Sequence, residues 1–307
     1  MTLTVLLSVK PNLWDDFNIA LPPALAAAGL DATLVGEADP ATVDYIVYAP
    51  NDTLADFTPY TNAKAVLSVF AGVERIVGNE TLTQPLCRMV DPALCEGMVE
   101  WVTGQVLRHH LWLDRNHQRT EWVQDAPPLA RNRRVTMLGL GELGLACARM
   151  LTTLNFQVTG WSRSPKEADF PTFHGNDGLT RALEGAEIVI VLLPDTAATR
   201  DILNTTTLSV LAKGAIVINP GRGPLIDDEA LLAALASGQV GHATLDVFRV
   251  EPLPAEHPFW AHPGVTISPH IAAVSRPDTA SGVVAENIRR AEAGEPLLHL
   301  VDRKRGY

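Results

Sequence analysis

The chain has 307 residues, of which 47% are hydrophobic and 19% charged, which is typical of a soluble globular protein with room for two cores. Its 35 acidic and 24 basic residues give a formal net charge of −11, which argues against nucleic acid or an anionic membrane as the main partner. The cysteines Cys87, Cys95 and Cys147 are odd in number and lack CxxC spacing, so neither a disulfide framework nor a metal site is expected.

Neither end of the chain nor its apolar runs indicate a membrane or a secretory route. The N-terminus MTLTVLLSVKPNLWDD becomes polar too soon for a signal peptide. The longest run that resembles a buried strand, IVIVLLP at 188–194, is far too short to span a bilayer. Together with the odd number and the spacing of the cysteines, these features predict a cytoplasmic protein.

Short runs rich in Val, Ile and Leu alternate with segments of helical periodicity, a pattern that predicts an α/β protein with parallel sheets and crossover helices. A proline- and alanine-rich helix is expected at 22–30, and a long helical stretch at about 92–121. The strands predicted before residue 92 suit a small flavodoxin-like sheet, and they are 3–9, 32–35, 45–49 and 65–70.

A second series of strands begins after the polar, proline-bearing segment 124–134. Six strands suit a Rossmann-type, doubly wound parallel sheet, and they are 134–138, 156–161, 187–193, 215–219, 242–248 and 265–268. The last predicted helix, near 275–294, has no strand after it, so we expect it to return to the first domain. The predicted domains are therefore 1–98 with 272–307, and 99–271.

Three glycines follow the first strand of the second series, in the sequence GLGELG at 139–144. At such a strand-to-helix turn, Gly139 permits the tight turn, Gly141 lets a pyrophosphate approach the backbone, and Gly144 lets the helix pack on the strand. The helix N-terminus then faces the phosphates. The alternative is a turn whose glycines serve geometry alone. The predicted cofactor-binding residues of this turn are Gly139, Gly141, Glu142, Leu143 and Gly144.

The end of the next strand bears on the choice of cofactor. An acidic residue there accepts hydrogen bonds from the adenosine ribose, whereas a 2′-phosphate needs a donor or a cation. This chain has Ser162, Arg163 and Ser164 there, which favours NADP, with NADPH preferred over NADH. The alternative is that Arg163 and Lys166 are only a solvated surface pair. The predicted cofactor-binding residues further along the chain are Pro194 and Thr199.

Three polar residues follow three later strands, at the sheet edge where parallel sheets bind ligands. Arg222 could hold a carboxylate, His270 could exchange a proton near neutral pH, and Glu251 could hold the second imidazole nitrogen. Each has a structural alternative: an arginine that caps a turn, a histidine held for packing, and a loop glutamate.

From residue 134 onward the chain resembles the D-isomer-specific 2-hydroxyacid dehydrogenases, because GLGELG, NPGRG, DVFRVEPLP and SPHIAA occur in that family's order and spacing. WSRSPK, SPHIAAVSRP and VDRKRGY are similar to the glyoxylate/hydroxypyruvate reductase A subfamily. This resemblance places the family's catalytic set on Arg222, Glu251 and His270. It also places the family's contact with the nicotinamide amide on Asp246.

The resemblance further implies that backbone amides of a first-domain loop bind the substrate carboxylate. The matching loop residues are Phe70, Ala71, Gly72 and Val73. Phe70 departs from the family's usual Gly-Ala-Gly and would reshape the substrate pocket, or it ends a buried strand as a core residue. The family likeness also implies a homodimer in contact through 98–113, although the apolar period there could equally serve an intramolecular core.

The resemblance thus implies NADPH-dependent reduction of a small 2-keto acid, such as glyoxylate or hydroxypyruvate, to the D-2-hydroxy acid. Arg222 and the loop would hold the carboxylate, and His270 would supply the proton. One alternative is a reductase of a bulkier keto acid such as phenylpyruvate. Another is a non-catalytic NADP(H)-sensing interaction protein, against which the complete Arg, Glu and His set argues.

Overall fold

The computed structural model describes residues 2–306. Within that range the strands are β1 Leu3–Ser8, β2 Ala32–Val35, β3 Tyr45–Tyr48, β4 Ala65–Ser68, β5 Leu86–Cys87, β6 Arg134–Leu138, β7 Gln157–Ser162, β8 Thr172–His174, β9 Ile188–Val191, β10 Ala215–Asn219, β11 Val240–Leu245 and β12 Val265–Ile267. The α-helices are α1 Pro11–Ala27, α2 Pro92–His110, α3 Leu113–His117, α4 Glu142–Thr153, α5 Gly175–Leu183, α6 Thr205–Ser209, α7 Asp228–Ser237 and α8 Pro277–Glu292.

The chain divides into two compact units. The first comprises the described residues of Met1–Leu94 and Val274–Tyr307, and the second is Cys95–Ala273. The boundaries expected from the sequence, 98 and 271, fall within a few residues of these. The substrate-binding and cofactor-binding roles expected for the two units stay predictions.

The first unit is built on a five-stranded sheet in the order β2-β1-β3-β4-β5, with every pair parallel. This is the flavodoxin-like order expected for the first domain. Helices α1 and α8 pack against each other and share one core with the sheet. Helix α8 therefore returns to the first unit, as predicted, because its Val284 and Ile288 are buried there.

The expected helix at 22–30 is wrong in its start. Helix α1 begins at Pro11 and carries Pro22 and Pro23 inside it. The prolines suggested a helix start, since proline suits the first turn and disrupts the interior. The burial of Phe17, Leu21 and Leu25, four residues apart, shows the face that packs on the sheet instead.

The second unit contains a seven-stranded parallel sheet in the order β12-β11-β10-β9-β6-β7-β8. The strand order reverses between β6 and β9, which is the Rossmann arrangement predicted for this part of the chain. The prediction of six strands missed β8, Thr172–His174, which is short and only partly buried. Its residues therefore lack the apolar run by which the other strands were found.

The single helical stretch expected at 92–121 is also wrong. Helix α2 ends at His110, and Trp112 adopts a left-handed conformation with φ of 55° before the short α3. Helix α3 ends at His117, so the residues after it are not helical. The apolar pattern continues through this region, but the left-handed conformation of Trp112 interrupts the helix.

The helices of residues 2–306 include none that is both long and apolar enough to cross a membrane. Within residues 2–306, no disulfide joins Cys87, Cys95 and Cys147. Burial raises the pKa of Cys87 to about 11 and that of Cys147 to about 12. These two thiols are therefore protonated and unreactive near neutral pH.

The buried His109 of α2 lies beside His242, a partly buried residue of β11 in the second sheet. His109 of α2 places Nε2 2.8 Å from Oγ1 of Thr244, and His242 of β11 places Nε2 2.8 Å from Oγ1 of Thr266. Their ring centroids are 4.9 Å apart. Burial, followed by the neighbouring His242 and Arg108, lowers the pKa of His109 to about 4. The fold therefore favours the neutral imidazole.

Acid should destabilise the protein through His109. The pKa of His109 in the folded protein lies below its ordinary value of about 6.5. The contribution of neutral His109 to the free energy of unfolding is therefore complete above about pH 6.5 and is lost as the pH falls toward 4. By pH 5 this loss is about 2 kcal/mol. His109→Gln keeps a partner for Thr244 without a titrating proton. We expect the loss of unfolding free energy between pH 7 and pH 5, measured by denaturant titration, to be smaller in this variant.

His117→Gln, at an exposed position, is the matched control and should leave the pH dependence of the native protein unchanged. Equal acid sensitivity in His109→Gln and the native protein would show that the fold does not favour neutral His109.

Candidate active site

Two glycines of the 139–144 turn are required by the chain's own packing. Gly139 has φ of +107°, and a Cβ there would lie 2.2 Å from the carbonyl oxygen of Leu192. A Cβ on Gly144 would lie 2.0 Å from the carbonyl oxygen of Gly139. The turn from β6 into α4 is therefore closed by backbone contacts that leave no room for side chains.

Gly141 differs from the other two, because a Cβ there would meet nothing within 4 Å. It precedes α4 in an extended conformation, and no side chain caps the helix. The first amides of a helix have no partner within the helix and attract anions. Packing within the chain does not explain this glycine, whereas the open space suits a pyrophosphate at the helix N-terminus, next to Glu142 and Leu143.

Strand β7 ends beside this turn, since it pairs with β6 up to Leu138 and Trp161. Ser162 is buried, and its Oγ donates to the carbonyl oxygen of Ser164 at 2.7 Å. Arg163 is exposed, and the first carboxylate after it in the chain is Glu167. The serine hydroxyl thus shapes a short turn that carries a guanidinium on the surface.

The loop after β9 contains the other two predicted cofactor residues. Thr199 is buried, and its Oγ1 donates to the carbonyl oxygen of Pro194 at 2.6 Å and accepts the amide of Thr196 at 2.9 Å. The hydroxyl therefore holds its own loop together. Contacts of Pro194 and Thr199 with a cofactor stay predictions.

The three candidate catalytic residues follow the neighbouring strands β10, β11 and β12. His270 places Nδ1 2.8 Å from Oε2 of Glu251, and Oε1 of Glu251 accepts the amide of Phe248 at 2.9 Å. The side chains of His270 and Glu251 are 46% and 31% exposed. The carboxylate is thus held from both oxygens, and the imidazole, whose Nδ1 faces Glu251, can turn Nε2 toward a substrate.

Arg222 lies in the turn after β10. Asn219 holds this turn, because its Nδ2 donates to the carbonyl oxygen of Arg222 at 2.9 Å and its Oδ1 accepts the amide of Gly221 at 3.0 Å. A Cβ on Gly223 would lie 1.9 Å from the carbonyl carbon of Phe248. The arginine turn therefore packs directly on the segment that leads to Glu251.

Asp246 is fully buried at the end of β11. Its Oδ1 accepts the Ser268 hydroxyl at 2.6 Å and the Ile271 amide at 3.0 Å, and its Oδ2 accepts the Ala272 amide at 2.9 Å. Four lone-pair positions are available on a carboxylate, so these bonds leave one for any further donor. The expected contact with nicotinamide stays a prediction.

Sequence reasoning overlooked Asn219 and Ser268 as residues that support the site. Asn219 is buried, and Ser268 donates to the buried Asp246. A polar residue at the last position of an otherwise apolar strand was the available signal for Asn219, since a buried polar side chain needs a partner nearby.

The predicted carboxylate-binding loop follows β4 in the first unit. The amide of Phe70 donates to Oγ of Ser68 at 3.1 Å, and its carbonyl oxygen accepts the amide of Met89 at 3.0 Å. The Phe70 ring is partly buried against the core of this unit, and Val73 is buried in the core on the other side of the sheet. Phe70 thus serves packing, and carboxylate binding by residues 70–73 stays a prediction.

Comparison of the chain with known proteins identifies its family. Residues 102–272 match the family model "D-isomer specific 2-hydroxyacid dehydrogenase, NAD binding domain". Glyoxylate/hydroxypyruvate reductase A of Yersinia enterocolitica is 39% identical over 283 residues, which are 89% of this chain and 90% of that protein. The reductase A of Serratia proteamaculans is 38% identical over 304 residues, or 95% and 96% of the two chains.

Solved structures agree with the sequence relatives. A D-isomer specific 2-hydroxyacid dehydrogenase from Xanthobacter autotrophicus Py2, in complex with NADPH and MES, is 40% identical with a TM-score of 0.88 over 98% of this chain and 99% of that one. An NADPH-dependent glyoxylate/hydroxypyruvate reductase from Sinorhizobium meliloti, in complex with NADP and sulfate, is 33% identical with a TM-score of 0.87 over 99% and 100%.

Alanine at Gly144 should lower the stability of the protein, whereas alanine at Gly141 should lower its affinity for NADPH. Gly144→Ala overlaps a backbone carbonyl, so we expect a loss of roughly 1–3 kcal/mol of unfolding free energy, the usual range for overpacking. Gly141→Ala meets no chain atoms and should change stability by less than about 0.5 kcal/mol. Its methyl group would instead occupy the open space, so NADPH affinity should fall at least about tenfold.

Denaturant titration measures the first effect and fluorescence titration with NADPH the second. Native affinity for NADPH in Gly141→Ala would mean that the open space is not the pyrophosphate site.

Proposed function

Because the chain belongs to the D-isomer specific 2-hydroxyacid dehydrogenase family and is therefore an oxidoreductase, we propose that it reduces a small 2-keto acid with NADPH to the D-2-hydroxy acid. The substrate class is of the glyoxylate or hydroxypyruvate type. The observation that carries the reaction type is the 2.8 Å contact between His270 and Glu251 at the carboxyl ends of strands in a Rossmann sheet. The names of the relatives support the substrate class, and the bound NADPH and NADP of the neighbours support the cofactor.

The chain's own residues suit this cofactor in two places. The open N-terminus of α4 at Gly141 would accept the pyrophosphate. Arg163, on the turn shaped by Ser162 and Ser164, would meet the 2′-phosphate with a planar pair of N–H donors. NADPH, when bound, supplies the hydride for the carbonyl carbon of the keto acid.

His270 completes the reduction by giving a proton from Nε2 to the carbonyl oxygen, which becomes the hydroxyl. Glu251 orients the ring through its contact with Nδ1. General acid catalysis of this kind contributes about a hundredfold to ten-thousandfold in rate. The pairing also fixes which nitrogen faces the substrate, because Nδ1 is held by the carboxylate.

Arg222 is proposed to bind the substrate carboxylate through its guanidinium and to polarise the adjacent carbonyl. Its turn is fixed by Asn219 and by the contact of Gly223 with the Phe248 segment, and Nη1 of Arg222 donates to the carbonyl oxygen of Gly221 at 2.7 Å. The amides of Gly72 and Val73 are proposed as further donors to the carboxylate on family resemblance alone.

We also propose, on family resemblance, a homodimer that uses part of 98–113, and, from the composition of the chain, a cytoplasmic location. Met98, Val102 and Val106 of this stretch are buried in the core of the second unit, so they serve the intramolecular alternative. Leu111 and Leu113 are exposed and are the apolar residues left for a contact between copies.

The proposed reaction is tested by following NADPH and NADH absorbance with glyoxylate, hydroxypyruvate, pyruvate and phenylpyruvate. We expect fast oxidation of NADPH with glyoxylate or hydroxypyruvate. His270→Gln should slow turnover by about a hundredfold or more while leaving the NADPH dissociation constant nearly unchanged. Tight NADPH binding without turnover of any keto acid would contradict the enzyme assignment, and near-native turnover in His270→Gln would contradict the proton donor.

The role of Arg163 is tested by Arg163→Asp. Loss of a charge-assisted contact with phosphate costs about 1.5–3 kcal/mol, so the ratio of kcat/KM for NADPH to that for NADH should fall about tenfold to a hundredfold. Lys166→Asp is the matched control, because it makes the same charge change three residues away on the same exposed segment. Equal effects of the two variants would indicate a general field of surface charge and no specific phosphate contact.

A further inference from the structure

His270 has an unusual backbone conformation for a residue with a side chain. Its φ is +56°, in the left-handed region that favours glycine. Such a conformation persists only where surrounding contacts determine it. The chain must therefore supply hydrogen bonds that hold the backbone at this position.

Asp246 supplies them. The amides of three consecutive residues all point to it: His270 donates to the Asp246 carbonyl oxygen at 2.8 Å, Ile271 to Oδ1 at 3.0 Å, and Ala272 to Oδ2 at 2.9 Å. The Ser268 hydroxyl adds a bond to Oδ1 at 2.6 Å. Donors on both sides of His270 thus converge on one fully buried aspartate.

Asp246 is itself fixed within the sheet, since its amide donates to the carbonyl oxygen of Asn219 at 3.0 Å. Asn219 also holds the carbonyl oxygen of Arg222. The ends of β10, β11 and β12 are therefore joined through Asp246.

We infer that Asp246 is a positioning residue, whose buried carboxylate holds the 268–272 backbone so that the His270 imidazole faces Glu251. The inference rests on the proposed function, in which His270 is the proton donor. It assigns Asp246 a role that does not depend on a bound cofactor. An ionised carboxylate is suited to it because both oxygens only accept hydrogen bonds, and two backbone amides need one acceptor each.

Asp246→Asn tests this role at nearly constant shape. An asparagine has one acceptor oxygen and one donor nitrogen, so either the Ile271 or the Ala272 amide must face an N–H group. The His270 backbone should then relax, and the contact between Nδ1 and Glu251 should weaken. The readout is the ¹⁵N shifts of His270, which report which ring nitrogen carries the proton, in histidine-labelled protein without nucleotide.

We expect the His270 shifts of Asp246→Asn to move toward those of Glu251→Gln, in which the pair is broken directly. The shifts of His242, on the strand β11 that ends just before Asp246, should stay native and would exclude general damage to the sheet. Turnover should fall at least about tenfold, with a smaller change in the NADPH dissociation constant. Native His270 shifts in folded Asp246→Asn would overturn the inference, whatever happens to NADPH binding.

Ser268→Ala keeps the test decisive if Asp246→Asn does not fold. It removes one donor to Oδ1 and leaves the carboxylate and both amides in place. The His270 shifts should move in the same direction by a smaller amount, and unchanged shifts would count against the role. Because these spectra need neither substrate nor cofactor, they are independent of the turnover assay. A native protein that reduces no keto acid would refute the proposed function without deciding the role of Asp246.

Discussion

The hydrogen bonds that converge on Asp246 are the constraint on which the candidate site depends. The parallel strands β10, β11 and β12 bring three loops to one edge of the sheet, but strand pairing ends before Arg222, Glu251 and His270 are reached. Beyond the strands, the buried Asp246 fixes the loop after β12 through hydrogen bonds. Complete burial of the Asp246 carboxylate is tolerated because it accepts hydrogen bonds from one hydroxyl and two backbone amides.

The glycines divide by what they make room for. Gly139, Gly144 and Gly223 lie so close to neighbouring backbone that a methyl group would overlap it, so they are explained by the fold alone. Gly141 has open space around its Cα, at a helix N-terminus without a side-chain cap. The first three glycines are thus required by packing within the chain, whereas Gly141 leaves space that suits the proposed pyrophosphate.

The proposed catalytic residues lie on loops, and the residues that support them are buried at strand ends. His270 and Glu251 remain partly exposed, as the proposed transfer of a proton from His270 to a substrate requires, whereas Asn219 and Asp246 are buried. In the first unit, Phe70 lies on the predicted substrate loop, but its aromatic ring is partly buried against the core.

The sequence by itself determined the α/β class, the Rossmann-type and flavodoxin-like sheets, and the candidate residues Arg222, Glu251 and His270, because strand hydrophobicity and turn glycines are local signals. It did not predict the short strand at Thr172–His174 or the end of a helix at His110, since neither changes the apolar pattern. Only the tertiary structure decided that His270 contacts Glu251 and that Asp246 holds the His270 loop. These contacts join residues distant in the chain, and hydrogen-bond partners across strands leave no periodic trace in a single sequence.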